Sequence, residues 1–202
     1  AIALPSKRIT VNLGPADLPK EGSHFDLPIA LALLAELEVV PKDDVARTVA
    51  LGELSLGGAL VPVLGALPAA MTAAAEERTL LCPRASGAEA AWVGAAEVIG
   101  AQSLADVIAH YTGARPLLPA RPGEVTGAEA ARDLRDVKGQ ERAKRALEIA
   151  AAGRHHLMLV GAPGSGKSML AARLPGILPP LTPVEALETS MIHSLSGLLS
   201  EG

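Results

Sequence analysis

Apolar positions along the chain form short runs divided by turns. Residues 7–13, KRITVNL, alternate between polar and β-branched apolar types and predict a strand. A polar loop runs from Gly14 to Ser23. Asp26 then precedes LPIALALLAEL, apolar on nearly every side, which predicts a buried helix. Asp26 is placed to cap its free N–H groups, and Pro28 is tolerated in the first turn, where its missing N–H had no partner. Residues 48–56 and 59–64 predict two strands joined by Gly57-Gly58, a compact hairpin signal. A helix through PAAMTAAAEE follows, then the apolar run TLLCP and a short alanine-rich helix near 86–91. A strand at EVIG and a helix at SLADVIAHY, begun by Ser103 or Gln102, complete a mixed α/β pattern.

Between 112 and 130 the periodicity stops. Gly113, Pro116, Pro119, Pro122, Gly123 and Gly127 read as a linker. The expected organisation is a first domain over 1–111, a linker over 112–132 and a second domain over 133–202. In the second, QERAKRALEIAAA (140–152) sets Ala143, Leu147 and Ala150 on one helical face. His155 and His156 precede LMLV (157–160), which predicts a short buried strand. MLAARL predicts a helix ended by Pro175, Pro179 and Pro180, and Ser190 to Ser200 begin a further element.

Composition narrows the reading. With 202 residues, one or two domains are expected. Hydrophobic residues reach 49% and aromatics only 1%, so the cores must be packed with Ala, Leu, Val and Ile. A net charge of −4, from 18 basic and 22 acidic residues, argues against a freestanding, strongly basic nucleic-acid binder. It leaves open a ring assembly with a local basic surface. The single Cys82, inside Thr79–Pro83, reads as a small buried hydrophobe and not a reactive thiol. No apolar run approaches the roughly 18 residues of a membrane span, and no secretory segment is visible. A cytoplasmic compartment and no membrane partner are therefore expected.

The strongest chemical signal is GAPGSGKS, residues 161–168, which matches G-x-x-x-x-G-K-[ST] throughout. Gly161, Gly164 and Gly166 let successive backbone N–H groups curl around phosphates without Cβ clashes, with Ala162, Pro163 and Ser165 between them. The N-terminus of the following helix, starting near Met169, adds a field that favours negative charge. Lys167 reaches the β- and γ-phosphates, and Ser168 ligates Mg²⁺ through its hydroxyl. The expected ligands are thus ATP and Mg²⁺. Turnover also needs acidic residues, and no strand ending in Asp-Glu follows the loop. Glu185 and Glu188 read as helix surface or cap. Residues 136–140, DVKGQ, can approach an adenine, with Val137 packing on the base and the Gly139 backbone reading its edge; an ordinary helix cap explains the same spacing.

Other clusters favour plain readings. His24, His155 and His156 suggest no metal site, since adjacent residues on a strand face opposite ways. Residues 132–145 hold Arg132, Arg135, Lys138, Arg142, Lys144 and Arg145 against Asp133, Asp136 and Glu141. This stretch could meet phosphates, but a solvated helix face or subunit contact is favoured. Lys7 and Arg8 are judged alike. Only Phe25, Trp92 and Tyr111 are available for base stacking.

Two stretches carry a resemblance. DVKGQERAKRALEIAAAGRHHLMLVGAPGSGKSMLAARLPGILPPLTPVEALE resembles the opening of the magnesium-chelatase-like AAA+ module. KRITVNLGPADLPKEGSHFDLPIALALL resembles the N-terminal domain of the ComM/YifB family. The segments LPGILPPL and IHSLSGLL strengthen the likeness. It implies a first domain with a Lon protease-like, ribosomal protein S5 domain 2-like fold, lacking an N-terminal portion, and a P-loop AAA+ domain continuing past Gly202. It further implies a bacterial, cytoplasmic protein that forms a hexameric ring and works as an ATP-dependent DNA helicase in branch migration, on branched or single-stranded DNA. It favours Val137 and Gly139 as adenine neighbours over a plain cap.

A Lon-type protease uses a Ser-Lys dyad. Here His24 falls where the nucleophile belongs, Ser23 lies one position off, and Leu67 stands at the lysine position. Leucine cannot take a proton from serine, and Lys20 sits in a loop with nothing to lower its pKa. A degenerate domain used for assembly or nucleic-acid handling is expected. Two alternatives to the DNA motor stay open: a magnesium-chelatase-type ATPase remodelling a protein client or aiding metal insertion, and a non-hydrolysing nucleotide-binding and assembly module.

Overall fold

The computed structural model describes residues 8–14, 22–123 and 132–198. The chain divides into two compact units, Ala1–Glu124 with Thr189–Gly202, and Val125–Glu188.

In chain order the first unit carries α1 (Asp26–Glu36), α2 (Lys42–Ala46), β1 (Thr48–Ala50), β2 (Glu53–Leu54), β3 (Leu60–Val61), α3 (Ala66–Ala75), β4 (Thr79–Pro83), α4 (Arg84–Ala90), β5 (Val98–Ala101) and α5 (Leu104–Tyr111). The TLLCP run becomes β4, the centre of a parallel sheet ordered β1-β4-β5. Thr48 pairs with Thr79, Ala50 with Leu81, Leu80 with Val98 and Pro83 with Ala101. Side chains along a strand alternate between faces, and here both faces are covered. Leu81, Ile99 and Ala101 pack under Leu27, Leu31 and Leu34 of α1 and Val107 of α5. Leu80, Cys82 and Val98 pack against Ala66, Ala70 and Ala73 of α3 and Ala90 of α4. Alanines on α3 bring its backbone close to the sheet, which is how a core nearly free of aromatics closes.

The predicted strand over 48–56 is two strands. Gly52 separates them: its carbonyl accepts from Leu27 N at 3.0 Å, and its N–H donates to His24 O at 3.2 Å. A Cβ at Gly52 would lie 3.1 Å from the Pro83 ring and 3.3 Å from Leu27, so only glycine lets the chain pass there. β2 and β3 form the expected antiparallel hairpin, its turn closed by Gly58 N to Ser55 O at 2.9 Å. Helix α5 is started by Ser103, whose hydroxyl accepts from Asp106 N at 3.2 Å. After α4, a single 3-10 turn over Ala91–Val93 leaves Trp92 about half exposed, at 48%. From Thr189 onward the last helix belongs to this unit, where the buried Ser194 donates to Glu89.

Two expectations are corrected here. Asp26 does not cap α1: Phe25 holds the cap position with no side-chain cap bond, and the Asp26 carboxylate accepts from Leu54 N at 3.3 Å, tying the helix start to β2. Asp26 still places negative charge in the first turn, where the helix field favours it. Residues 8–13 form no strand, and Ile9, Val11 and Leu13 are exposed. Their alternation is real, but β-propensity needs a paired neighbour, and none of the described residues pairs with them.

The second unit holds α6 (Glu141–Gly153), α7 (Lys167–Ala171) and the first turns of α8 (Pro183–Ser196). Its core is Leu134, Val137, Leu147 and Leu170, with Ala143, Leu159, Leu174 and Ile177 against them. LMLV is not the expected buried strand. Residues 157–160 make no ladder, and Met158 and Val160 are 83% and 81% exposed while Leu159 turns to the core. Leu157 is exposed as well, so only Leu159 turns inward, and among residues 132–198 there is no other strand to pair with. Helix α7 ends at Ala171, short of the expected MLAARL, and a 3-10 turn over Leu174–Ile177 carries Pro175. Helix α8 starts well before Ser190, set by a capping box in which Glu185 accepts from Thr182 N and Oγ1, both at 2.8 Å.

Candidate nucleotide-phosphate site

Residues 161–168 leave the core at Leu159 and re-enter it at Leu170, so both ends of the loop are anchored. Between them the backbone turns twice through the left-handed region, at Gly164 (φ +81) and Gly166 (φ +85), where a side chain would strain it. Ser165 N donates to Ala162 O at 3.2 Å, closing the first turn, and Leu170 N to Gly166 O at 3.0 Å opens α7. Gly161 faces across the loop: a Cβ there would lie 2.9 Å from Ser165 Oγ. Ala162, Pro163, Ser165, Ser168 and Met169 are exposed. With only five residues, α7 has little macrodipole, so donors on the loop itself carry the attraction for phosphate.

The Lys167 amine folds back over the loop and donates to Gly161 O and Ala162 O, each at 2.8 Å, and to Ser165 Oγ at 3.4 Å. These contacts hold the cation against the loop. The Ser168 hydroxyl makes no hydrogen bond among the described residues, which suits a group that ligates a hard cation. The loop thus gathers backbone N–H groups, the Lys167 ammonium and the Ser168 hydroxyl, the chemistry a Mg²⁺-nucleotide would need.

The DVKGQ segment lies against this loop. Val137 is only 2% exposed, enclosed with Leu134, Leu147 and Leu170, so its isopropyl group is committed to the core. Gly139 (φ +67) and Gln140 (φ +57) follow on the exposed side, and the Gln140 amide reaches Gly166. Arg173 was not singled out by the sequence, yet it clamps the loop's helix: its guanidinium donates to Met169 O at 2.8 Å and to Asp133 O at 3.0 Å. Its position in the MLAARL stretch, with Pro175 two residues on, was the available signal.

Carboxylates and cations elsewhere in this unit are largely paired. Arg154 holds Glu185, and Glu188 is exposed on α8. Arg135 pairs with Asp133 at 2.9 Å, Lys144 with Glu141 at 3.2 Å, and Arg145 with Glu148 at 3.0 Å. Among the described residues no ion pair engages Arg132, Lys138 or Arg142, so they are the uncompensated cations of the basic stretch. His155 and His156 are exposed ahead of residue 157.

In the first unit, Ser23 donates to Glu53, and the His24 ring packs against Phe25 at 4.0 Å between centroids. Leu67 is 2% exposed inside α3, with its backbone N–H directed to Glu89 at 3.3 Å. Lys20 and Lys7 lie outside the described residues. Cys82 is fully buried, and burial, with a smaller push from the Glu89 charge, raises its thiol from an ordinary 9.0 to about 12. It is inert packing at neutral pH. Among the described residues no helix is long and apolar enough to cross a membrane.

Comparison with known proteins bears on both units. A family model described as magnesium chelatase, subunit ChlI, matches residues 133–202, and one described as subunit ChlI of Mg-chelatase matches residues 1–86. The YifB protein of Salmonella typhimurium is 46% identical over 191 residues, covering 95% of this chain and 38% of that protein. Competence protein ComM of Haemophilus influenzae is 43% identical over 198 residues, again 95% and 38%. An archaeal Lon protease of Archaeoglobus fulgidus is 42% identical over 57 residues, 28% of this chain and 8% of the protease. The chain thus spans about two fifths of the length of the YifB and ComM relatives. Continuous similarity across both units, together with the two family models, means that this chain belongs to the ComM/YifB family of magnesium-chelatase-like AAA+ proteins.

Proposed function

We propose that residues 133–202 open an ATP-binding AAA+ domain, and that the whole protein is an ATP-driven DNA helicase or branch-migration factor acting in recombination or natural transformation. The observation that carries the nucleotide reading is the 161–168 loop, with left-handed glycines at 164 and 166 and the Lys167 amine poised over them. The DNA reading rests on similarity to a competence protein. In this reading the loop N–H groups of Gly161, Ala162, Gly164 and Gly166 bind phosphate, Ser165 borders it through its hydroxyl while its N–H closes the turn on Ala162 O, and Lys167 exchanges two carbonyl partners for phosphate oxygens. Ser168 holds Mg²⁺, which supplies positive charge against the terminal phosphates. Gly139 and Met169 border the nucleoside, with the Val137 backbone behind them. Glu185 is engaged by Arg154 and Thr182, so the acidic half of the hydrolytic site comes from elsewhere in the assembled protein.

Residues 1–111 are read as a Lon protease-like, S5 domain 2-like domain joined by a 112–132 linker, and as proteolytically silent. Leu67 is enclosed in the core and can bind no proton. Self-association into a hexameric ring and contact with branched or single-stranded DNA complete the proposal. A magnesium-chelatase-type ATPase acting on a protein client is the second reading, favoured by the description of both family models.

The test is ATP hydrolysis by the full-length protein, with and without branched and single-stranded DNA, beside Lys167→Ala. DNA-stimulated turnover that the substitution abolishes supports the motor. Lys167-dependent turnover indifferent to every DNA points to the chelatase-type reading. Nucleotide binding without phosphate release leaves an assembly module.

A further inference from the structure

We infer that Gln140 is a nucleotide-binding residue of the phosphate-loop site, donating its side-chain N–H to the bound nucleotide beside Gly166; the inference rests on the nucleotide reading above. Gln140 adopts the left-handed conformation, φ +57, where residues other than glycine are strained. It stands at the N-cap of α6, a position at which short polar side chains bond the helix N–H groups. Gln140 does not: its side chain makes no cap bond. Capping therefore does not occupy the amide. Instead the amide reaches across to the loop. Its Nε2 lies 2.6 Å from where a Cβ on Gly166 would be, with the Met169 methyl 3.3 Å from the same point. Gly166 is the last residue before Lys167 and Ser168, so the amide stands at the base of the phosphate-binding turn. Among the described residues it has no hydrogen-bond partner, and it brings two N–H donors to a loop whose own cation is folded onto carbonyls. Gly139, also left-handed, shares the bend with Gln140.

The experiment titrates the full-length protein with a fluorescent ADP and Mg²⁺ for wild type, Gln140→Gly, Gln140→Ala and Lys167→Ala, with an unfolding midpoint for each. Gln140→Gly accepts the left-handed turn without strain and removes only the amide. The expected result is about a 10-fold rise in Kd for Gln140→Gly and Gln140→Ala, the loss of one good hydrogen bond. The unfolding midpoint of Gln140→Gly is expected to be unchanged or raised. Wild-type affinity in Gln140→Gly overturns the inference and makes residue 140 a turn former alone. If Lys167→Ala binds as tightly as wild type, the nucleotide reading itself falls and takes the inference with it, an outcome distinct from Gln140 variants binding normally beside a dead Lys167→Ala.

Discussion

TLLCP in the first unit and LMLV in the second are apolar runs of nearly equal length with opposite fates. The first is paired on both edges, and its last four residues are buried. The second has no ladder and exposes Met158 and Val160, though Leu159 still turns inward. Residue type cannot explain this, since LMLV is at least as apolar. The difference is neighbours. β1 and β5 supply N–H and C=O partners for β4, and α1, α3, α4 and α5 cover its two faces. In the second unit one face of the extended segment meets α6 and α7, and nothing else does. An apolar run specifies a strand's two faces; it becomes a buried strand only when its edges are met.

That contrast can be tested by four measurements. Leu81→Ala in β4 should cost about 2–5 kcal/mol in chemical denaturation, because a wholly enclosed side chain leaves a cavity between α1 and the sheet. A cost below about 1 kcal/mol would mean that the first unit's core is looser than its packing implies. Next, Mg²⁺-ATP at about 100 times its Kd should stabilise the chain by about 2.7 kcal/mol, with slowed hydrogen exchange over 161–170 and unchanged exchange in β4. Equal slowing in both would break the distinction between the units. Third, stability should fall as pH rises above about 9. The Cys82 thiol ionises in the unfolded chain near 9.0 but in the fold only near 12, so the unfolded state binds fewer protons across that window. The loss is on the order of 1 kcal/mol per pH unit. Burial also raises Tyr111, so Cys82→Ala should remove only part of the slope. Last and smallest, Val160→Ala should change stability by less than about 0.5 kcal/mol, as an exposed site does. A large loss would show that Val160 is covered in solution.

Local signals were legible wherever the answer was local. Ser103 caps α5, Gly57-Gly58 turns the hairpin, Cys82 is buried, and Gly164 and Gly166 take the conformations that their spacing in the loop demands. The apolar runs of α1 and α3 and the periodicity of α6 located those helices within a few residues. What could not be read depended on distant partners. Asp26 serves Leu54, twenty-eight residues away, instead of its own helix. Gly52 splits a strand because Pro83 and Leu27 crowd it. Residues 8–13 have the right alternation and no edge to join. Val137 is enclosed by Leu134, Leu147 and Leu170, a packing that its spacing does not express. Gln140 and Arg173 entered the site through contacts with Gly166 and Met169 that spacing along the chain does not express.

The placement of Trp92 in the turn after α4 has an optical consequence. From residue 133 onward the sequence holds no tryptophan, tyrosine or phenylalanine. Intrinsic emission and near-ultraviolet dichroism therefore report on the first unit alone, and the phosphate loop melts, closes and fills in the dark. A calorimetric transition with no fluorescence counterpart would be the signature of the second unit unfolding by itself.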